Sequence, residues 1–178
     1  MQGLGCRIRL HFEIYLALAV PIAMQAADQL QALLIGKFYS SFSVATAFGF
    51  SFYEFELAAQ DVLCADEDVI NNSFVNTYGP AAQTAVPELI GKSAILAACL
   101  GATISDVQVL PDASLILWFA NGVQLKLPTT TPIVDWHWAI TEDGRDPYMG
   151  CIIACFTSGE IQGGIANKSF KADGFAAA

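Results

Sequence analysis

Leu115-Ile116-Leu117-Trp118-Phe119-Ala120-Asn121-Gly122-Val123-Gln124-Leu125-Lys126-Leu127 is the stretch that decides the fold. Two short apolar runs flank Asn121-Gly122, a dipeptide that favours hairpins because both residues accept positive φ and the type I′ twist matches the strands. Val123, Leu125 and Leu127 alternate with Gln124 and Lys126, so one face is buried and the other wet. Upstream, Ile104–Leu110 and Ser114–Phe119 are joined by the turn residues Pro111-Asp112-Ala113. Downstream, Val134–Ile140 alternates around Trp136 and Trp138. Cys151–Phe156 and Glu160–Ile165 then read as a last hairpin through Ser158-Gly159. The C-terminal half is therefore expected to be an antiparallel meander.

Working back from it, Pro87–Gly101 predicts a helix. Pro87 suits the first turn, Glu88 the positive end and Gly101 the C-terminal cap. Leu89, Ile90, Leu96, Ala97 and Leu100 would face a sheet. Cys6–Val20 and a stretch near Leu30–Phe38 read as strands, as does Phe42–Phe55, which is dense in Phe, Val and Tyr. Glu56–Asp68 lacks Gly and Pro and predicts a short helix, and Asn71–Thr84 a loop. The sum is an α+β domain: a curled, mainly antiparallel sheet covered by one or two helices. Length suits a single domain spanning 1–178. Ile8, Leu10, Leu16 and Leu18 have the spacing of Val107, Val109, Leu115 and Leu117, which leaves open a duplicated β-unit over about 1–40 and 100–140.

Charge sets the partner class. No Lys or Arg occurs between Lys37 and Lys92, whereas Glu54, Glu56, Asp61, Asp66, Glu67, Asp68 and Glu88 all lie there. With a net charge of −9, such a chain repels phosphate, which excludes nucleic acid, and attracts basic partners. The stretch reads either as a solvated face or as a partner-facing surface. On the second reading Glu54, Glu56, Asp61, Asp66, Glu67 and Asp68 supply charge, and Phe52, Tyr53 or Phe55 an aromatic anchor. Charged residues are only 14% of the chain and hydrophobic ones 54%, so the core is large or an apolar face awaits a partner.

Catalytic patterns are wanting. No Gly-x-Ser-x-Gly elbow exposes a nucleophile, and no glycine loop cradles phosphate. Asp66-Glu67-Asp68 lacks the spacing and central glycine of a calcium loop. The two histidines, His11 and His137, sit in separate apolar strands, with His137 opposed to its flanking tryptophans. Cys6, Cys64, Cys99, Cys151 and Cys155 lie among apolar neighbours without framework spacing, and read as core thiols in a reducing compartment. Cys151, Cys155 and His137 could sketch a metal site, but no second close pair completes it. No metal and no cofactor is expected.

Arg7 and Arg9 before the apolar run Ile14–Met24 imitate a secretory leader. His11 and Glu13 at its leading edge, and Pro21 within it, favour a buried strand instead. The run is also too short to span a bilayer, so no membrane partner is expected.

The pattern Leu100-Gly101, Val107-x-Val109, Leu115-x-Leu117-x-Phe119-x-Asn121-Gly122-x-x-Leu125-x-Leu127 and Trp136 resembles a group of small bacterial proteins, some encoded beside polymorphic toxins. Ile8-x-Leu10-His11-Phe12-Glu13-Ile14-x-Leu16 is similar to that group's opening strand. The segment from about Ser40 to Thr84 departs from the pattern. The resemblance implies an immunity protein of contact-dependent growth inhibition or a similar system: acidic, cytoplasmic, non-catalytic, and bound to a cognate toxin domain such as a basic nuclease. The competing expectation is a small-ligand-binding or hydrolytic domain with a pocket beneath the Trp136–Trp138 strand.

Overall fold

The computed structural model describes residues 26–79, 87–132 and 135–165. A helix over 26–34 (α1) leads to the hairpin strands β1 (Tyr39–Val44), β2 (Phe48–Phe52) and β3 (Phe55–Ala59), then a short β4 (Leu63–Cys64). Helices α2 (Glu67–Tyr78) and α3 (Pro87–Ala98) follow. The meander β5 (Ile104–Val109), β6 (Leu115–Phe119) and β7 (Gln124–Leu127) precedes β8 (Trp138–Thr141), β9 (Cys151–Thr157) and β10 (Glu160–Ile165). The class is α+β and all described strand pairs are antiparallel. The strands divide between two sheets instead of forming one curled sheet. One has the order β1-β2-β3-β8-β9-β10 and the other β4-β7-β6-β5.

One apolar cluster is shared by both sheets. Phe50, Phe52, Leu57, Trp138, Ile140 and Ile153 come from the larger sheet, and Ile104, Val107, Leu115, Leu117 and Leu125 from the smaller. Period-2 alternation explains the split between faces: Phe55, Leu57 and Ala59 are buried while Glu56 and Ala58 between them are not. Helix α3 adds Ile95, Leu96 and Cys99. Leu89 and Leu100, expected on its covered face, are 38% and 44% exposed.

β5, β6, β7 and β9 fall within a residue of their expected bounds and β10 matches them. The strand expected over Val134–Ile140 instead runs from Trp138 to Thr141 and pairs with β3 and β9, so the expected single meander is divided between the two sheets. The β6–β7 hairpin lies in the smaller sheet. At its tip the turn differs from the expected type I′. Gly122 alone of the pair takes a left-handed φ, +89°, and Gly122 N donates to Phe119 O at 2.9 Å while Phe119 N donates to Val123 O at 2.9 Å. The Asn121 side chain bonds Val123 N at 3.2 Å and Ala98 O at 2.7 Å, tying the hairpin to the end of α3.

Several N-terminal expectations are overturned. The strand expected near Leu30–Phe38 is mostly helix, because Leu30 and Leu34, four apart, bury together and Gly36 at φ +79° ends the helix. Phe42–Phe55 is strand as expected, but in pieces: the end of β1, all of β2 and the first residue of β3, separated by turns at 45–47 and 53–54. Glu56–Asp68 carries β3 and β4 in place of a helix, since the apolar period through Leu57 is two. Asn71–Thr84 is helical as far as Tyr78. Cys6–Val20, the leader-like run, His11 and the residues Ile8, Leu10, Leu16 and Leu18 that suggest a repeat lie outside the described residues. Among the described residues no helix is long and apolar enough to cross a membrane.

Candidate protein-binding surface

The fold scatters the acidic stretch. Tyr53 and Glu54 form the tip between β2 and β3, at the opposite end of β3 from Asp61. Strand β3 puts roughly 15–20 Å between them. Tyr53 is 98% exposed, but Phe55 and Phe52 pair across the same turn and are buried, their rings 5.1 Å apart. Phe55 is thus a core residue and not a surface anchor, because the two-residue tip turns both phenylalanines inward. Lys37 Nζ meets Glu54 Oε2 at 2.5 Å. Beside that pair lies an open cleft of ≈ 390 Å³ lined by Gly36, Lys37, Phe38, Phe52, Tyr53 and Glu54. Glu56 lies on the outer face of the larger sheet, its carboxylate held over Gly49 and Gly144.

The other end of β3 gathers the remainder. Asp61 Oδ1 accepts Val62 N at 2.8 Å and Lys92 Nζ at 2.5 Å, and the Lys92 ammonium also sits 5.6 Å from the Phe48 ring centroid. The two lysines that bound the cation-free stretch therefore each fold back onto a carboxylate within it. Asp61 is a paired, half-buried group and not a free contributor of surface charge.

Asp66, Glu67 and Asp68 open α2, where negative charge complements the helix dipole. Asp66 and Asp68 are exposed and Glu67 is half-buried. Burial pushes the Glu67 carboxyl upward; Lys92 opposes this, while Asp61, Glu88 and Asp68 add to the rise. Gly91 of α3 lies against Glu67 O and Asn71, so the starts of α2 and α3 adjoin as one acidic end. Glu88 belongs to it, although it lies twenty residues beyond Asp68 in the chain; only the pairing of the two helices discloses this.

Helix α2 packs mainly on α3 and sends one half-buried side chain, Ile70, against the main core. Asn71 Oδ1 accepts Gly91 N at 3.0 Å, and a Cβ on Gly91 would fall 3.1 Å from Glu67 O. No α2 side chain is buried, and Val69, Val75 and Tyr78 are exposed. Exposed apolar groups therefore lie on the same helix as the clustered acids.

The positions considered for chemistry are dispersed or buried. His137 N donates to Cys155 O at 2.8 Å and its carbonyl accepts Gln60 N at 2.9 Å, so its backbone bridges strands. Its Nδ1 is buried without a hydrogen-bond partner, and burial lowers its pKa. Trp138 enters the main core, its Nε1 donating to Ala113 O at 2.8 Å, whereas Trp136 packs on the opposite side with Ala139, Cys151 and Ala154. The two indoles do not roof one shared pocket. Cys99, Cys151 and Cys155 are buried, and burial pushes the thiols of Cys64, Cys99 and Cys155 up to about 12. Among the described residues no three His, Cys, Asp or Glu side chains converge as a metal site.

Asp112, Ser114, Thr129 and Ser158 form a hydrogen-bonded cluster joining the β5–β6 turn to the β9–β10 turn. Ser114 Oγ donates to Asp112 Oδ2 at 2.9 Å, and Thr129 Oγ1 donates to Asp112 O at 2.7 Å. Ser114 is wholly buried, so the cluster locks turns together and presents no nucleophile. Comparison with models of protein families, with curated proteins and with solved structures returned no match.

Proposed function

We propose that this chain is an immunity protein that binds a cognate bacterial toxin domain, a basic nuclease, in the cytoplasm and neutralises it by occlusion, without chemistry or a cofactor of its own. The observation that supports this best is the acidic end of α2 and α3. Glu67 has Asp68 and Glu88 as charged neighbours there and Asp66 precedes it in the chain, while the nearby Lys92 charge is taken up by Asp61. Such a field steers a basic partner into encounter, and occlusion then needs a complementary surface with a few apolar anchors and no reacting group. Tyr53 and Glu54, at the far end of β3, belong to a separate surface.

The test is protection. The first step is to ask whether a neighbouring gene encodes the C-terminal toxin domain of a large secreted protein; that candidate toxin domain is then expressed in a sensitive host with and without the chain. Survival only with the chain, retained by His137→Ala, is the expected result. Loss of protection by a folded His137→Ala that still binds the toxin means that chemistry does the neutralising.

A further inference from the structure

Helix α2 is made of residues that do not favour helix. After Glu67 it reads Asp68-Val69-Ile70-Asn71-Asn72-Ser73-Phe74-Val75-Asn76-Thr77-Tyr78, all β-branched, aromatic or short polar side chains from the lower part of the helix-propensity order. A helix of this length is marginal in water even when rich in Ala. Tertiary burial ordinarily supplies the difference, yet no α2 side chain is fully buried and four are half-buried. Asp66 makes no side-chain capping bond, an interaction worth about 1 kcal/mol where it forms. What remains is half-buried Ile70 against the main core, the Asn71–Gly91 hydrogen bond, the close approach to α3, the favourable acidic first turn and the Phe74–Tyr78 ring pair at 4.7 Å.

The face turned away from α3 follows from the helical period. Glu67, Ile70, Asn71 and Phe74 are half-buried and face α3; Asp68, Val69, Asn72, Val75 and Asn76 lie on the other side and are exposed. Val69 is 67% exposed and Val75 41%. The helix carries no Lys or Arg, and Asp66 precedes it. This is an acidic-and-aliphatic surface with no cation to repel a basic partner.

Resting on the toxin-binding role proposed above, we infer that α2 is the contact element: a weakly held helix whose Asp68, Val69, Asn72, Val75 and Asn76 face docks on a basic protein surface and is ordered by it. The partner's Lys and Arg side chains meet Asp66 and Asp68, and a small apolar patch meets Val69 and Val75. Part of the contact energy goes into fixing the helix, so affinity depends on how firmly α2 is already held.

Hydrogen exchange on the full chain tests this, alone, with the candidate toxin domain, and with oligolysine as a charge-only probe. Alone, α2 amides exchange far faster than those of α3 and β6. The toxin domain slows them at least about tenfold, oligolysine does not, and Asn72→Lys weakens toxin binding about tenfold with an unchanged melting temperature. Free-state exchange in α2 as slow as in α3 overturns the inference. So does a complex that leaves α2 exchange unchanged and forms equally well with Asn72→Lys, or equal protection by oligolysine; in those cases the toxin-binding role itself survives. Failure of the wild-type chain to bind the toxin domain removes the role and the inference together.

Discussion

Lys92 Nζ and Asp61 Oδ1, thirty-one residues apart in sequence, meet at 2.5 Å across the start of α3. The Lys92 side chain is 10% exposed and that of Asp61 26%. The bond fixes α3 to the end of β3 and removes one negative charge from the surface. It differs from the exposed Lys37–Glu54 pair, for which a contribution of about 0–1 kcal/mol is expected.

Replacing Lys92 by Met leaves Asp61 half-buried without its partner. We expect a loss of about 3 kcal/mol, at the lower end for broken buried pairs because Asp61 retains some solvent. Lys37→Met should cost less than about 1 kcal/mol. Urea denaturation of both variants measures the contrast; equal losses would show that burial does not separate the two pairs.

His137 sets a pH dependence. Burial lowers its folded pKa below the ordinary 6.5, so the unfolded chain takes up a proton first as pH falls. Its stabilising contribution is therefore present above pH 6.5 and lost as pH drops from there through the folded value. A His137→Phe variant should show a flatter stability profile over that window. Thermal melting across it decides the matter: a profile parallel to wild type would mean that His137 titrates alike in both states.

Most C-terminal strands were legible because their signals are local. Alternation in Val123–Leu127, the glycine at 122 and the serine-glycine turn before Glu160 act on neighbours in sequence. The N-terminal half misled where a local pattern fits two periods. Leu30 and Leu34 suit a helix and Ile35–Phe38 a strand, while Glu56–Asp68 lacks breakers although its apolar spacing through Leu57 is that of a strand. Helix α2 was missed for a different reason. Its residues disfavour helix, and contacts with Gly91 on α3, which sequence spacing cannot display, hold it. The acidic stretch was visible as charge, but its division came only with the fold: Lys37 and Lys92 return to it, and β3 separates Glu54 from Asp61. Phe55 looked like an anchor because its neighbours are acidic; its register opposite Phe52 turns it inward.

The proposed steering role of the acidic end of α2 and α3 is best tested by the association rate with a candidate toxin domain at increasing ionic strength. The triple variant Asp66→Asn, Glu67→Gln and Asp68→Asn is compared with wild type after its fold and α2 helicity are verified by circular dichroism. We predict that the wild-type rate falls as salt rises, and that the variant associates more slowly at low salt with a shallower salt dependence. An unchanged association rate for the folded variant would remove this surface from the interface.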